Sequence, residues 1–445
     1  MVILLERIRA YGKAEAALSG CGIALLGGCY VYWLCSSSFG LWGRLAALAS
    51  LALFIWVCLR FVPVWFACWR RRGPCAAVSG AGAAQAARRV FLCLFGFCLG
   101  MTLLVWLLRL ALGRGEGYYQ SLQYWTYTDS HHYLDIARDW YLSEGEWDRL
   151  VQLVFLPGYP LAIRLFGLVI RDYTLAAFLV SALSFSGAGA LLYLLFRLDY
   201  GHETARRAVT LLCLLPGSFF FAAPMSEGLF LLCCAGCLYL VRRGRTGLGC
   251  LVGGYAAFTR SLGLMLFAPV FFELVQEKRG WRRFLWLVLI PAGFGAYCFI
   301  NWQVSGDPFK YMEYQKVHWG QSLGFFFNTA AYQLENAIAY LAEGRSTAWG
   351  LWIPNLACSF FALGVMAPAA KRLRPSYTAW FIAYYAVAIG ATWLLSAPRY
   401  LVAMPVIALA LALDVQQKNE RALLCALLPA SLCYLLAFCL GLQVW

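Results

Sequence analysis

The sequence predicts an all-α integral membrane protein that crosses the bilayer many times. Of its 445 residues, 62% are hydrophobic and 13% are charged, which is too little charge to cover a water-soluble surface. Uncharged runs recur along the chain, each about long enough to cross roughly 30 Å of hydrocarbon as a helix. They occupy 16–43, 90–108, 173–196, 208–226, 284–302, 346–370, 375–398 and 422–445. Together with shorter apolar segments they predict about thirteen transmembrane helices.

The basic residues predict the orientation of these helices. The net charge is +15, and Lys and Arg form short clusters between apolar runs, such as WRRRG (69–73), RRGR (242–245) and KRLR (371–374). The positive-inside rule places such clusters and the N-terminus in the cytoplasm, so we expect a membrane and no nucleic-acid partner. Four segments then share the extracytoplasmic face, namely 113–172, Pro224–Glu227, 302–345 and Ser396–Arg399.

Three parts of the chain depart from a simple series of spans. Residues 1–88 contain two apolar spans and an Ala/Gly-rich linker, 76–86, so they predict an accessory pair ahead of a working core at 89–445. Segment 246–275 must enter the membrane from the cytoplasmic face and return to the same face. We expect two short helices that meet at Arg260, because backbone can turn at membrane depth where it lines a cavity. Segment 150–170 predicts a juxtamembrane or re-entrant element.

Several function classes lose support because their motifs are missing from the sequence. It contains no G-x-x-x-x-G-K-[ST], no G-x-G-x-x-G, no D-x-D and no H-E-x-x-H, which argues against nucleotide-driven pumping and against metal-dependent use of nucleotide sugars. The eighteen cysteines lie mostly in apolar runs, where a thiol behaves as a small hydrophobic group. We therefore expect no cofactor and no cysteine-based zinc or redox site, while metal dependence stays open.

The densest polar cluster is YTDSHHYLDIARDWYLSEGEW, residues 127–147. Ionisable residues at a membrane are costly, and each is a candidate for function. Asp129 could take a proton from a substrate hydroxyl at the membrane surface, with His132 beside it. Asp129 or Ser130 could equally cap the helix that follows. The sequence leaves both roles open.

Three further ionisable residues fall on the same predicted face. Glu227, in LLPGSFFFAAPMSEGLF, either caps a helix or faces a site. Arg260 in TRSLG, and Arg399 beside Tyr400 in SAPRYL, either snorkel to the interface or hold a phosphate, for which the guanidinium fork is suited. Two arginines and an aspartate indicate an anionic substrate and a hydroxyl partner.

In their order along the chain, these motifs resemble those of the PIG-V type, or GPI mannosyltransferase II-like, family of GT-C fold glycosyltransferases. The family's W-D-x-x-H-F/Y-x-x-I-A, F-F-P-x-Y/F-P-L, P-x-x-x-F-x-x-x-x-S-E, R-S/P-x-G and closing R-Y are similar to TDSHHYLDIA (128–137), FLPGYPLA (155–162), PGSFFFAAPMSE (216–227), TRSLG (259–263) and SAPRY (396–400). Together they span most of 89–445. Thr128 replaces the usual Trp, and the two spans before residue 88 are additional.

The resemblance implies an inverting hexosyltransferase, most plausibly a mannosyltransferase, with external juxtamembrane helices. Its donor would be a polyprenyl-phosphate sugar that enters from the bilayer, and Asp129 would be the catalytic base. The residues expected to bind substrate in the same cavity are His132, Glu227, Arg260, Arg399 and Tyr400. No metal is required by this chemistry.

Several alternatives remain at the level of sequence. A multi-pass transporter or lipid flippase would also contain a polar cavity, although the polar residues here gather at one edge and no internal repeat is visible. The aromatic segment 302–345 predicts a lid, whose rings either anchor it at the interface or contact the acceptor. The acceptor could be a glycolipid, a polymer or a protein. The short basic loops suit a bacterial plasma membrane, with the endoplasmic reticulum as the alternative.

Overall fold

The structure is a computed structural model that describes residues 12–70, 82–126, 129–141, 151–394, 396–415, 419–442 and 444. Within these ranges the chain is helical, and its one β-type contact is an isolated bridge between Leu323 and Ala391. The predicted all-α fold is confirmed. Parts of the N-terminal basic segment, of the linker 76–86 and of the polar cluster, including Glu144 and Glu146, lie outside the described residues.

The described helices run in the following order. They are α1 (Lys13–Ser36), α2 (Leu41–Arg70), α3 (Ala83–Ala111), α4 (Tyr118–Tyr124), α5 (Ser130–Asp139), α6 (Gly158–Ile170), α7 (Tyr173–Leu214), α8 (Glu227–Arg242), α9 (Thr246–Thr259), α10 (Phe267–Gln276), α11 (Leu289–Ser305), α12 (Lys310–Trp319), α13 (Phe326–Ala342), α14 (Ile353–Ala369), α15 (Pro375–Ala388), α16 (Ala397–Val402), α17 (Val406–Asp414) and α18 (Glu420–Cys439). Short 3₁₀ or π turns connect several of them, at Val151–Val154, Ser218–Phe221, Ser261–Leu266, Trp281–Val288 and Ala348–Trp352.

Among the described residues, seven helices are long and apolar enough to cross a membrane. They are Lys13–Ser36, Leu41–Arg70, Ala83–Ala111, Tyr173–Leu214, Trp281–Ser305, Ala348–Ala369 and Glu420–Cys439. Shorter apolar helices occupy Gly158–Ile170 and Ser261–Gln276. These lengths agree with a multi-pass membrane protein, and the total of about thirteen spans stays a prediction.

Helix α7 bends sharply at Gly201. This glycine has φ 80° and ψ 179°, a backbone conformation that is open to glycine and strained for other residues. Near the bend, Tyr193 Oη and His202 Nδ1 are 2.8 Å apart. The axis of α7 therefore changes direction at Gly201.

Two of the predicted spans end earlier than their apolar runs. In 208–226 the helix stops at Leu214, because Pro216 follows and Gly217 adopts φ 88°. In 375–398 the helix stops at Ala388. Both predictions of continuous helix are wrong, and in each case the irregular residues lead directly into a motif that carries Glu227 or Arg399.

The segment around Arg260 forms two short helices, as the sequence predicts. Helix α9 ends at Thr259, Arg260 has extended backbone angles, and a 3₁₀ turn then leads into α10. This break places Arg260 between the two helices, where its side chain is 11% exposed. The short pair thus positions a cation inside the bundle.

The first two helices pack against the remainder of the chain through α13. Trp33 Nε1 donates a hydrogen bond of 2.8 Å to Asn328 Oδ1, and the Gly40 amide donates one of 2.6 Å to Glu335 Oε1. Both acceptors lie on α13. Residues 13–70 are thus attached to the segment predicted to be a lid, while their separate accessory role stays a prediction.

Candidate functional site

Four charged side chains from separate parts of the chain meet at one end of the helix bundle. We call Asp129, Glu227, Arg260 and Arg399 the cavity cluster. Arg399 Nη2 lies 2.8 Å from Asp129 Oδ2, and Arg399 Nε lies 3.2 Å from Glu227 Oε1. The same Glu227 oxygen accepts a hydrogen bond of 2.5 Å from Arg260 Nη1. The four residues therefore form one continuous chain of ion pairs.

Asp129 occupies the N-cap position of α5 but does not act as a capping side chain. Among the described residues, its carboxylate makes no hydrogen bond to the helix amides, and it points instead to Arg399. The side chain is 25% exposed and lines a cavity. Of the two arrangements that the sequence leaves open, the side chain of Asp129 adopts the one that faces the cavity.

Glu227 is the first residue of α8 and is 1% exposed. Its Oε1 is shared by Arg260 and Arg399, whereas its Oε2 has no hydrogen-bond partner among the described residues. Glu227 is not one of the residues that line the cavity. It lies behind the two arginines, so its direct neighbours are these cations and not the cavity space.

The two arginines face the cavity and share a tyrosine. The Cζ atoms of Arg260 and Arg399 lie 5.0 and 5.7 Å from the centre of the Tyr400 ring, which are cation–π distances. Arg260 also donates a hydrogen bond of 3.1 Å to Ser226 Oγ. Both guanidinium groups are about nine-tenths buried, so neither arginine snorkels to an interface, and Tyr400 lines the same cavity.

The FLPGYP motif holds the Arg260 segment in place. A Cβ atom on Gly158 would lie 2.9 Å from Thr259 Cα and 2.3 Å from Thr259 Oγ1, so only glycine permits α6 to approach the end of α9 this closely. Tyr255 Oη donates a hydrogen bond of 2.8 Å to the Gly158 carbonyl. Since Arg260 follows Thr259, this predicted loop is a packing element that fixes a cavity arginine.

The cavity has a volume of about 550 Å³. The cavity cluster occupies one wall, and the remaining lining is rich in aromatic rings and amides, including Tyr311, Gln315, Trp319, Gln321, Trp352 and Trp393. Three of the aromatic residues of the predicted lid, Tyr311, Trp319 and Tyr340, line this space. Phe326 and Phe327 are instead buried in the core, and Phe309 is exposed. Some aromatic residues of the predicted lid therefore contact the cavity, whereas others pack in the core.

Hydrogen bonds join residues 321–324 of the predicted lid to residues 390–393, the segment that precedes Arg399. The Gly324 amide donates a hydrogen bond of 2.6 Å to the Gly390 carbonyl, and the Thr392 amide donates one of 2.9 Å to the Ser322 carbonyl. Gln321 Nε2 also donates to the Trp393 carbonyl at 2.8 Å. This pairing brings Gln321 and Trp393 into the cavity wall. The sequence analysis missed both, because their partners are about seventy residues away along the chain.

His132 lies beside the cavity and does not line it. Its ring stacks on Phe155 with centroids 4.5 Å apart and lies 3.9 Å from the ring of His131. Burial, together with the charge of His131, lowers the pKa of His132 to about 4, although Asp129 acts in the opposite direction. At neutral pH His132 is therefore an uncharged ring that supports Phe155, which does line the cavity.

The charges around Asp129 keep it ionised. Burial acts to raise the pKa of its carboxyl, but Arg399, with smaller contributions from His132 and Arg260, lowers this pKa below the ordinary value. Tyr133, one turn further along α5, also lines the cavity, and its Oη lies 3.2 Å from Ser226 Oγ. Tyr133 follows Asp129 by four residues, a spacing that places both on one face of a helix and that could have identified Tyr133 from the sequence.

Comparison with known proteins finds similarity to a family model and to solved structures. A solved structure, ArnT from Cupriavidus metallidurans bound to undecaprenyl phosphate, is 17% identical with a TM-score of 0.44, and the similarity covers 71% of each chain. No curated protein matches. Residues 114–284 match the family model described as Mannosyltransferase (PIG-V). This segment is less than half of the chain and contains Asp129, Glu227 and Arg260. The match confirms the family resemblance that the motifs carry.

Proposed function

We propose that this protein is an inverting membrane glycosyltransferase that transfers a sugar, in our proposal mannose, from a polyprenyl-phosphate donor to a hydroxyl acceptor. The reaction takes place on the extracytoplasmic face. The observation that carries the proposal is the convergence of one carboxylate and two guanidinium groups on a wall of a 550 Å³ cavity. The match of residues 114–284 to a mannosyltransferase family supports the choice of sugar.

In this proposal Arg260 and Arg399 bind the phosphate of the donor. A guanidinium fork binds phosphate oxygens through two parallel hydrogen bonds, and these two forks are held about the same tyrosine ring. When the sugar leaves, the phosphodiester becomes a monoester and gains negative charge. Fixed cations in a poorly hydrated site stabilise that charge as it develops.

Asp129 acts as the general base. The acceptor oxygen forms a bond to the anomeric carbon while the bond from that carbon to the phosphate oxygen breaks, and the electron pair leaves with the phosphate. The acceptor proton passes to the Asp129 carboxylate. A single displacement inverts the anomeric carbon and leaves no sugar on the enzyme. Because Arg399 is paired with Asp129, the donor phosphate competes for Arg399 and frees the carboxylate for the acceptor.

The aromatic and amide part of the cavity would bind the acceptor. Trp319, Trp352 and Trp393 offer flat apolar faces, and Gln315 offers an amide beside them. Gln315 Nε2 donates a hydrogen bond of 3.0 Å to Gln321 Oε1, which orients the pair. Glycolipid, polymer and protein hydroxyls are all candidate acceptors for this wall.

The proposal is tested with the purified full chain in detergent. Radiolabelled polyprenyl-phosphate mannose is supplied with extracted cell-envelope acceptors, and mannose transfer is compared between wild type and Asp129→Asn. Loss of a general base should reduce transfer by at least about a hundredfold. Asp135→Asn is the matched control, because Asp135 is on the same helix, has a half-exposed side chain and does not line the cavity.

Three outcomes would change the proposal. Equal transfer by wild type and the folded Asp129→Asn variant would remove Asp129 as the base. An equal loss in Asp135→Asn would point to disruption of α5 instead of loss of a base. If wild type transfers no mannose, the donor sugar or the enzymatic function itself is wrong, and transport of a lipid becomes the leading alternative.

A further inference from the structure

Glu227 differs from the other members of the cavity cluster in both exposure and bonding. It is 1% exposed and separated from the cavity by the two arginines. One oxygen, Oε1, lies within 3.2 Å of nitrogen atoms of both Arg260 and Arg399. The other oxygen is buried without a hydrogen-bond partner among the described residues. Leaving a carboxylate oxygen unsatisfied is costly, so the position needs an explanation beyond packing.

The formal charges of the cluster suggest that explanation. The two guanidinium groups are balanced by the carboxylates of Asp129 and Glu227. When Asp129 has taken a proton from the acceptor, the cluster carries one net positive charge beside the phosphate monoester. Once Asp129 loses this proton, the cluster is neutral again and no longer attracts the product by net charge. Without Glu227 one positive charge would remain at this stage.

We propose that Glu227 is a positioning residue that does not touch substrate: through Oε1 it holds Arg260 and Arg399 side by side, and its negative charge sets how easily the polyprenyl phosphate product leaves. This inference rests on the proposed function, since it assigns the product to these arginines. It also accounts for an acid placed directly behind two phosphate-binding groups, where it weakens their attraction for an anion.

The consequence is an unusual direction of effect for an isosteric substitution. Glu227→Gln keeps the shape of the side chain and removes its charge. A single unit of charge acts strongly in a poorly hydrated site, so we expect the variant to bind polyprenyl phosphate at least about ten times more tightly. Both KM and kcat should fall, because donor binding is strengthened while product release becomes slow. A merely structural defect would raise KM.

The measurement uses farnesyl phosphate as the probe and the full chain in detergent. Calorimetry gives its dissociation constant, and inhibition of mannose transfer gives a second estimate. Glu116→Gln is the control, because it also removes a carboxylate paired with a buried arginine but lies outside the cavity lining. We expect its affinity for farnesyl phosphate to equal that of wild type. Unchanged or weaker binding by folded Glu227→Gln would overturn the inference.

A double variant that removes one positive and one negative charge separates the effect of charge on phosphate binding from the effect of packing. Arg260→Gln should weaken binding of farnesyl phosphate, and adding Glu227→Gln to it should recover about tenfold of the lost affinity. This comparison also serves if Glu227→Gln alone does not fold, and a double variant that binds no more tightly than Arg260→Gln would contradict the inference.

If wild type neither binds farnesyl phosphate nor transfers mannose, the proposed function fails. If it does both and Glu227→Gln leaves the affinity unchanged, only the role of Glu227 fails.

Discussion

Two clusters of buried arginines and carboxylates lie at opposite ends of helix α8, about 22 Å apart along its axis. The cavity cluster contains Glu227, the first residue of the helix, and the second cluster contains Arg242, the last. We call Asp199, Arg242, Glu273 and Arg374 the closed cluster. Its members are between 2% and 11% exposed. Both clusters use the same residue types in a poorly hydrated environment.

The two clusters differ in how their hydrogen-bonding atoms are used. In the closed cluster Arg242 binds both oxygens of Asp199 at 2.8 and 2.9 Å, and Arg374 binds both oxygens of Glu273 at 2.7 and 2.8 Å. Among the described residues, no buried side-chain atom of this cluster lacks a partner. In the cavity cluster Glu227 Oε2 and Arg399 Nε lack one.

The comparison separates an ion network whose hydrogen-bonding atoms are all used from one with atoms left over beside a cavity. Paired forks with every atom satisfied hold helices together and leave nothing for a ligand. Atoms without a partner and an adjacent cavity leave bonding capacity for a ligand. Ionic residues in a membrane protein are therefore better judged by their unsatisfied atoms than by their presence alone.

Replacement of Arg399 is expected to have the largest effect on sugar transfer. Arg399→Gln removes a phosphate-binding fork and the partner of Asp129, so kcat for mannose transfer should fall by about a hundredfold or more. Arg399→Lys retains the charge without the fork and should recover part of the loss. Single-turnover kinetics measure this effect. A variant with unchanged kcat would remove the distinction between the two clusters.

A matched change in the closed cluster should affect stability instead. Arg374→Gln leaves Glu273 buried without its bidentate partner, and we expect a loss of about 3–5 kcal/mol in the free energy of unfolding. Thermal unfolding in detergent checks this, and transfer per folded molecule should remain within about twofold of wild type. A large loss of turnover in the folded fraction would show that this cluster also serves the reaction.

Gly158→Ala tests how the cavity wall is positioned. The new Cβ would meet backbone atoms of Thr259, so we expect a loss of about 1–3 kcal/mol and reduced transfer from displacement of Arg260. Adding Thr259→Ala should restore little, because the closest remaining contact is with the backbone Cα at 2.9 Å. The free energy of unfolding and kcat are measured together. Normal values for both would mean that the close approach of α6 and α9 is not needed.

The smallest effect is expected at His132. Its pKa in the folded protein is about 4 against an ordinary 6.5, so as pH falls from 6.5 to 4 the unfolded chain takes up a proton that the folded protein does not, and stability decreases. His132→Phe keeps the contact with Phe155 and should remove this part of the acid sensitivity. Transfer at neutral pH should change by less than about threefold. The measurement is the unfolding temperature of wild type and His132→Phe over this pH range. The same dependence on pH in both proteins would contradict the lowered pKa of His132.

The fold class and part of the cavity lining were predictable from sequence, because they depend on composition and on local motifs. Apolar runs predicted an all-α membrane protein, and the order of five short motifs brought Asp129, Arg260 and Arg399 together before any coordinates. The position of Glu227 behind the arginines was not predictable, because an acid at a helix start suits a cap and a site equally.

The closed cluster shows the limit of reading charge from sequence. Arg242 and Arg374 were interpreted as cytoplasmic loop charges, yet they are buried, because Asp199 and Glu273 neutralise them from segments 43 and 101 residues away. Helix ends near Pro216 and Ala388 were similarly missed, since hydropathy registers apolar character and not backbone breaks. Pairing across long separations is set by tertiary packing.

An experimental structure with farnesyl phosphate bound tests the central claim most directly. We predict that the phosphate lies between Arg260 and Arg399 at hydrogen-bond distance, about 3 Å, that Arg399 has moved from Asp129 to the ligand, and that the closed cluster is unchanged. A phosphate bound away from both arginines, with the pair of Asp129 and Arg399 intact, would contradict the account.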